Sequence, residues 1–442
     1  MVDLLLFRVP SQSEVVYTLS QCGRITPISL GYIAASLQQS GFETKIVDLE
    51  LLPRPGAWKL QNLIKKYEPS IVGFSIYNEN MFNVLCIAKM CKEINKEILT
   101  VVGGPQATFM PEHALFDIPD IDVIVRGEGE QIMPLIANYH LKEVSFNRIP
   151  GITFRSRGEV LSTEKSGLTS DLDELPSPYL CEVFDLDMYH EATLLSSRGC
   201  SYSCAFCYTP KAFDRRILYH SVERVIKDIK KIYDEGMKVL WFADPGFTLN
   251  RKRVKKILSA IIENGWELSI WCETRLDAVN EELLDLMSRA GVYQIFYGLE
   301  SGNQQTLNRI RKNLDLSRVE QVIKWTRDRG IKVELAFIVG LPFETRKQVE
   351  RTIEFAIKLE PDYLAAQPLS LYFGTELNDK MHMYGFKEIN TNRPSYMSVG
   401  VDYDSPWLPK VERDEIMTKI NELEYELGLQ KVEPIYHFMN FI

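Results

Sequence analysis

The stretch Thr193-Leu-Leu-Ser-Ser197-Arg-Gly-Cys200-Ser-Tyr-Ser-Cys204-Ala-Phe-Cys207 decides how this chain is read. Its first five residues read as a short strand, and a Cys-x3-Cys-x2-Cys run follows on the strand-end loop. Three thiolates on one loop can hold three irons of a [4Fe–4S] cube and leave the fourth iron open. Zinc is the competing occupant. A closed zinc site, however, wants a fourth ligand and usually paired Cys-x2-Cys halves, and Cys181 and Cys272 stand isolated. Unrelated buried cysteines are a weaker explanation still, because all three fall together.

Downstream, the spacing predicts strands at Lys238–Phe242, Leu268–Cys272, Tyr293–Gly298, Val333–Val339 and Tyr363–Leu369, after a first at Thr193–Ser197. Helices are expected at Ser221–Asp234, Arg251–Asn264, Asn280–Arg289, Ser317–Arg329 and Thr345–Leu359, with Gly236, Gly265, Gly291 and Gly330 as their C-caps. Six β/α repeats suggest a partial (β/α)6 barrel, whose functional groups belong at the C-terminal strand ends. Past residue 385 one amphipathic helix, Glu412–Leu427, is expected and no further barrel strand.

Upstream, strands at Leu4–Val9, Glu43–Asp48, Ser70–Ser75, Leu99–Val102 and Val123–Val125 alternate with helices at Leu30–Ser40, Lys59–Tyr67, Phe82–Asn95 and Glu130–Tyr139. Near-continuous apolar strands with intervening helices argue for a parallel, Rossmann-like sheet. Arg148–Leu161 reads as a hairpin hinged at Arg157-Gly158, and Ser166–Tyr179, with Pro176 and Pro178, as a polar irregular linker. The expected organisation is an α/β chain: residues 1–165 Rossmann-like, 166–190 linker, 191–385 barrel, and 386–442 a short helical C-terminal extension.

The 442 residues suit two or three domains, and 45% apolar with 25% charged residues is a globular balance. With 51 basic against 60 acidic residues the net charge is −9, so nucleic acid is not an expected partner. No apolar run approaches membrane-spanning length, and Met1-Val-Asp3 lacks the basic start of a secretory signal. Eight cysteines, three of them within eight residues, point to metal in a reducing, cytoplasmic setting rather than to disulfides.

Residues Glu191–Leu377 resemble the radical S-adenosylmethionine (SAM) superfamily. Phe206, the aromatic before the third cysteine, matches its pattern, as do Phe242-Ala-Asp244-Pro-Gly-Phe247 and Glu273-Thr-Arg275. Gly298-Leu-Glu300-Ser301, Gly340-Leu-Pro342-Phe-Glu344-Thr345, and Pro368 with Gly374-Thr375-Glu376-Leu377 continue the match. Pro245 departs from it, since many relatives carry a second Asp there. The resemblance implies that Cys200, Cys204 and Cys207 hold the cluster and that SAM chelates the open iron. An electron from the cluster then splits SAM to give a 5′-deoxyadenosyl radical. Asp244 would accept from the SAM ammonium, and Glu300 or Ser301 would bond the ribose or the methionyl end. The Gly340 backbone would approach the adenine; Phe206, Glu273 and Arg275 complete the implied SAM site. Each also has a plain structural alternative: Asp244 capping a turn, Glu300 pairing with Arg275, Gly340-Leu-Pro ending a strand.

Val2–Tyr139 resembles the cobalamin-binding domain found upstream of many radical SAM barrels. The matching pieces are Pro27, Gly31-Tyr-Ile-Ala-Ala-Ser-Leu, Gly41-Phe, Val47-Asp48, Gly73-Phe-Ser75, Val102-Gly103-Gly104-Pro105 and Asp122-Val-Ile-Val-Arg126-Gly127-Glu128-Gly129-Glu130. Glycines at strand ends let a large cofactor lie against bare backbone. Ser75, Gly103, Gly104, Pro105, Gly127, Glu128 and Gly129 are the implied cobalamin contacts. No histidine precedes His113, so this domain has no Asp-x-His-x-x-Gly cobalt ligand; base-off binding without one fits the radical SAM subgroup. A Rossmann-like scaffold without cobalamin is the alternative. NAD and P-loop readings fail for want of their glycine patterns.

The six histidines are scattered, and the Trp241, Trp271, Phe296 and Tyr297 set reads as barrel core. Arg251-Lys-Arg253 with Lys255 and Lys256 reads as a solvated helix face, while Arg215-Arg216 are placed to meet an anionic substrate or an electron donor. The combined expectation is a cobalamin-dependent radical SAM enzyme, a methyltransferase acting on an unactivated carbon or a phosphinate of a small molecule, lipid or peptide. A flavodoxin or ferredoxin is the implied electron donor, and the C-terminal helix would cover the cleft between the two cofactors. The alternatives are a radical SAM enzyme that cyclises, rearranges or oxidises without methyl transfer, and a non-catalytic metal-binding protein.

Overall fold

The computed structural model describes residues 2–10, 24–52, 56–77, 80–389, 403–427 and 430–431. Cys22 and His437 lie outside the described residues, as does part of the C-terminal extension. Among the described residues two compact units separate between His190 and Glu191.

The first unit is built on β1 (Leu4–Arg8), β2 (Thr44–Asp48), β3 (Ile71–Ser75), β4 (Leu99–Gly103), β5 (Val123–Val125), β6 (Ile152–Ser156) and β7 (Glu159–Ser162). The order is β2-β1-β3-β4-β5-β6-β7, parallel through β5 and antiparallel beyond. β1 lies between β2 and β3, so the connections reverse direction there; in open α/β sheets, ligands bind at the carboxyl edge beside such a point. Helices Ile28–Gln39 and Ile132–Leu141 bury Leu37 and Ile136 against Leu4, Leu6, Ile71, Val101 and Val123. The β6–β7 hairpin turns at Arg157 (φ 52°) and Gly158 (φ 85°), the pair of positive values a two-residue hairpin turn requires.

The stretch 166–190 is not a free linker. It buries Leu172, Leu175, Tyr179, Phe184, Leu186 and Tyr189 within the first unit. The Tyr179 and Thr26 hydroxyls lie 2.9 Å apart, and the Tyr189 hydroxyl donates to Asp48 at 3.3 Å. The prolines and polar residues that suggest a loop are interleaved with apolar ones that need a core. This packing also explains Gly31: a Cβ there would overlap the Phe184 ring and come within 3.0 Å of Pro178.

The second unit carries β8 (Ala192–Leu194), β9 (Ser197–Gly199), β10 (Ile217–Tyr219), β11 (Val239–Phe242), β12 (Ser269–Thr274), β13 (Val292–Glu300), β14 (Lys332–Val339), β15 (Tyr363–Pro368), β16 (Lys387–Glu388), β17 (Tyr403–Asp404) and β18 (Gln430–Lys431). Its main sheet is all parallel and runs β8-β11-β12-β13-β14-β15-β18, six β/α strands in chain order with one short addition. The first strand stops at Leu194, short of Ser197. Asp244 draws Ser196 and Ser197 out of line, and β9 pairs antiparallel with β10 instead.

The C-terminal expectation needs correcting. The helix Lys410–Glu426 packs on β15 and leads into β18, which adds to the barrel sheet parallel to β15. A parallel neighbour needs a crossover helix on the sheet face, so this helix belongs to the barrel's outer layer. β18 is two residues long, too short to show as an apolar run.

Candidate functional site

The cysteine loop begins at Gly199 (φ 86°), where a Cβ would overlap the Arg216 carbonyl, so only glycine fits the bend from β9 into the loop. Two later segments hold the loop. The Ala205 N–H donates to the Ile310 carbonyl at 2.9 Å, and the Leu377 N–H to the Ala205 carbonyl at 3.0 Å. Arg311 donates through Nε to the Ser203 carbonyl at 2.8 Å, and its fork grips Glu376 at 3.0 and 2.5 Å. The Arg275 guanidinium stacks 3.8 Å over the Tyr202 ring and donates to the Lys312 carbonyl at 2.7 Å. Arg275 also donates through Nε and one terminal nitrogen to the two carboxylate oxygens of Asp277, each at 2.8 Å.

All three thiols are pushed up by burial, Cys207 to about 12. Lys312 and Arg275 pull Cys200 and Cys204 back down, favouring thiolate. The thiols also raise one another, which marks them as one electrostatic group. Among the described residues no three His, Cys, Asp or Glu side chains gather tightly enough for a single metal ion. Three thiols on one loop beside two cations suit a cluster in which each ligand serves its own iron.

Asp244, expected to meet an ammonium, is fully buried, and its contacts go to the protein. It accepts from the Ser196 N–H at 2.7 Å, the Ser196 hydroxyl at 2.6 Å and the Ser197 hydroxyl at 2.7 Å. Arg253 completes this knot, donating to the Ser196 carbonyl at 2.9 Å and to the His220 carbonyl at 3.0 and 2.8 Å. Arg253 is therefore no part of a solvated face, although Lys252 and Lys256 are exposed. The Ser301 hydroxyl donates to buried Glu344 at 2.7 Å. Glu300 (φ 66°) pairs with Lys312 at 2.7 Å, not with Arg275.

Glu273 lies opposite Phe296 in the β12–β13 register, with Oε1 buried and without a hydrogen-bond partner among the described residues. Burial and the nearby Glu334 and Asp244 push its carboxyl well above the usual range. Glu191 and Glu334 are raised to about 7, mainly by burial; the Trp271 indole and Gln294 respectively donate to them. Trp241 and Trp271 stack at 4.6 Å as core. Phe206 is half-buried on the loop, and Gly340 (φ 95°) follows β14.

In the first unit, Ser75 ends β3 and Gly103 ends β4. At Gly104 (φ 96°) a Cβ would stand 2.8 Å from the Ser75 hydroxyl and 2.9 Å from the Ile76 carbonyl. Pro105 opens a short helix, Pro105–Phe109. A Cβ at Gly103 would meet nothing closer than 3.7 Å, and one at Gly127 (φ 97°) nothing closer than 3.5 Å, so that backbone is bare. Glu128 is already engaged, accepting from the Thr169 N–H at 2.6 Å, and Gly129 gives room to Ile33. Bare strand ends beside one hydroxyl fit a large cofactor held by backbone.

Lys312, Arg311, Ser196, Ser197 and Arg253 escaped the sequence reading. Each acts on a residue far away in sequence, and only Glu376, within Gly374-Thr375-Glu376-Leu377, carried a local signal.

Residues 194–356 match the model of the radical SAM superfamily, and 15–137 that of the B12 binding domain. An uncharacterized methyltransferase of Pyrococcus horikoshii is 31% identical over 382 residues, 85% of this chain and 82% of its own. The cytidylyl-2-hydroxyethylphosphonate methyltransferase of Streptomyces wedmorensis is 28% identical, covering 85% and 81%. Among solved structures, the radical SAM methyltransferase TsrM of Kitasatospora setae with cobalamin and a [4Fe–4S] cluster bound superposes with a TM-score of 0.77 at 17% identity, over 99% of this chain and 90% of that one. With the cysteine loop at the head of one parallel sheet and bare glycine ends on the other, the chain belongs to the radical SAM enzymes that carry an N-terminal cobalamin-binding domain.

Proposed function

We propose that this enzyme is a methyltransferase, moving a methyl group from SAM by way of cobalamin to an unactivated carbon or a phosphinate of a small molecule, lipid or peptide. When bound, the cluster supplies the electron that cleaves SAM and cobalamin supplies the methyl carrier; the protein's part is to bind and orient them. The observation that carries this reading is the cysteine loop at the C-terminal strand ends of the second unit, joined in one chain to a glycine-edged Rossmann-like sheet. Relatives at 31% and 28% identity that are themselves methyltransferases support it.

In this reading Cys200, Cys204 and Cys207 would hold three irons. Lys312 and Arg275 would keep the sulfurs as thiolates, and Arg311 would fix the loop's shape through Ser203. Glu300, held by Lys312, and Phe206 on the loop remain candidate SAM contacts. Asp244 and Ser301 would act indirectly, by shaping β8 and the turn after β13. Ser75, Gly103, Gly104 and Gly127 would receive cobalamin. A cavity of about 420 Å³ beside Cys204 and Cys207 is lined by Lys211, Arg215, Arg311 and Lys380. Asp214, Glu376 and Asp379 line it too, so its charges are mixed, and a one-electron donor such as a flavodoxin or ferredoxin would dock here beside the cysteine loop.

The test is metal and product analysis of anaerobically purified, reconstituted protein. The expected result is near four irons and one cobalt per chain, with S-adenosylhomocysteine and 5′-deoxyadenosine formed under reduction. Four irons, no retained cobalamin and 5′-deoxyadenosine alone would overturn methyl transfer in favour of a cyclisation, rearrangement or oxidation.

A further inference from the structure

One buried and incompletely satisfied charge of the second unit lies outside every motif. Arg413 stands in the first turn of the helix Lys410–Glu426 and is 4% exposed. One arm of its fork donates to the Tyr403 carbonyl at 3.2 Å, and the guanidinium lies 4.2 Å from the Tyr403 ring centre. The other arm, NH1, is buried and has no hydrogen-bond partner among the described residues. Among the described residues no carboxylate is paired with it. A buried cation without an answering anion is strongly unfavourable, so an unpaired buried arm calls for an explanation, and a ligand that supplies the partner is one.

Its position gives that arm a purpose. Gly340, at the C-terminal end of β14, has φ 95°, and a Cβ on it would stand 3.0 Å from Arg413 Cδ and 3.4 Å from the Tyr403 hydroxyl. The Tyr403 hydroxyl donates to the Leu369 carbonyl at 3.0 Å, and the Leu369 N–H donates to the Val339 carbonyl at 2.8 Å. Arg413 is thus anchored over the ends of β14 and β15, the edge at which β/α barrels place their ligands. The backbone of Gly340, which the family resemblance placed against adenine, is covered by the arginine stem.

We propose that Arg413 is an oxyanion-binding residue of the barrel mouth, its NH1 arm donating to a carboxylate, phosphate or phosphonate group of a ligand. The oxyanion belongs either to the methionyl end of SAM or to the second substrate; in the latter case it defines that substrate as an acid. The assignment rests on the methyltransferase reading for its choice of ligands, but its test reads binding and not turnover, so the two can fail separately.

The experiment uses reconstituted holoenzyme and Arg413→Met, compared by thermal melting and calorimetric titration with S-adenosylhomocysteine, inorganic phosphate and methylphosphonate at constant ionic strength. Iron content and the melting temperature without ligand serve as folding controls. In the wild type at least one probe should raise the melting temperature, and Arg413→Met should bind that probe at least about tenfold more weakly, the loss of one charge-assisted hydrogen bond. Loss confined to S-adenosylhomocysteine assigns the oxyanion to SAM; loss confined to phosphate or methylphosphonate assigns it to the second substrate. A wild type stabilised by none of the probes overturns the proposal even if the variant fails to fold. So does a folded Arg413→Met that binds all three as the wild type does.

Discussion

The two sheet edges proposed to receive the cofactors are built in opposite ways. In the barrel unit the edge is crowded with charged side chains: Arg275 on Tyr202, Arg311 on Glu376, Lys312 on Glu300, Arg253 and Asp244 around Ser196. In the first unit it is bare backbone at Gly103 and Gly127 beside one serine hydroxyl. A cluster is a small, highly charged object whose ligands must be thiolate, so its surroundings are electrostatic. A corrin-sized cofactor needs area and close approach, and glycine supplies both by leaving out its side chain. The difference predicts which substitutions hurt which unit.

The largest effect falls on the thiols. Cys204→Ala should lower reductive SAM cleavage at least about a thousandfold, because the cofactor carries that chemistry. Cobalamin retention, read from the absorption spectrum, should be unchanged; loss of both cofactors together would break the separation drawn here. Next comes Glu334, whose carboxyl burial raises to about 7 from 4.5. A raised folded value makes the carboxyl's contribution complete below about pH 4.5 and lost as pH climbs to about 7, some 3 kcal/mol in total. Denaturant midpoints of the wild type should therefore fall between pH 4.5 and 7.5 more steeply than those of Glu334→Gln; parallel profiles would refute this.

On the glycine edge, Gly104→Ala introduces strain at φ 96° and a Cβ 2.8 Å from the Ser75 hydroxyl. A cost of about 1–3 kcal/mol corresponds to roughly a 5- to 150-fold loss of cobalamin affinity. Iron content should stay intact. The smallest effect belongs to Arg311→Met, which removes the grip on Ser203 and Glu376. It should leave the irons bound but speed their loss to a chelator by about tenfold, on the order of one charge-assisted hydrogen bond. An unchanged rate would make Arg311 a mere surface residue.

Much of this architecture was legible from residue order. Each main strand of both sheets falls within a residue or two of its apolar run at most ends, because buried parallel strands are continuous in sequence. The cysteine loop was legible because its three ligands are neighbours. What hid were partners contributed from afar: Arg311 for Ser203, the Lys312 carbonyl for Arg275, Arg413 for Gly340. Ser301 and Asp244 show the converse, since motif residues at the right strand ends spend their hydrogen bonds on Glu344 and on Ser196. The 166–190 stretch misled because prolines announce a turn, whereas Tyr179 and Phe184 show their role only once Thr26 and Gly31 lie beside them.

The chain-order sheet of the barrel unit also sets a timetable. Within the main sheet each strand from β12 to β15 pairs with the one made just before it, and β11 pairs with β8 across the separate β9–β10 pair, so the sheet can grow by near-sequential additions as the polypeptide emerges. The cysteine loop comes near the start of that growth, whereas Arg311 lies 108 residues beyond Ser203, and Glu376 a further 65. At about 5–20 residues per second the thiols wait on the order of 10 s or more for the pieces that shape them. Iron and sulfide supplied before then would meet three thiols without fixed geometry, so cluster loading is expected to follow synthesis of the chain through Glu376.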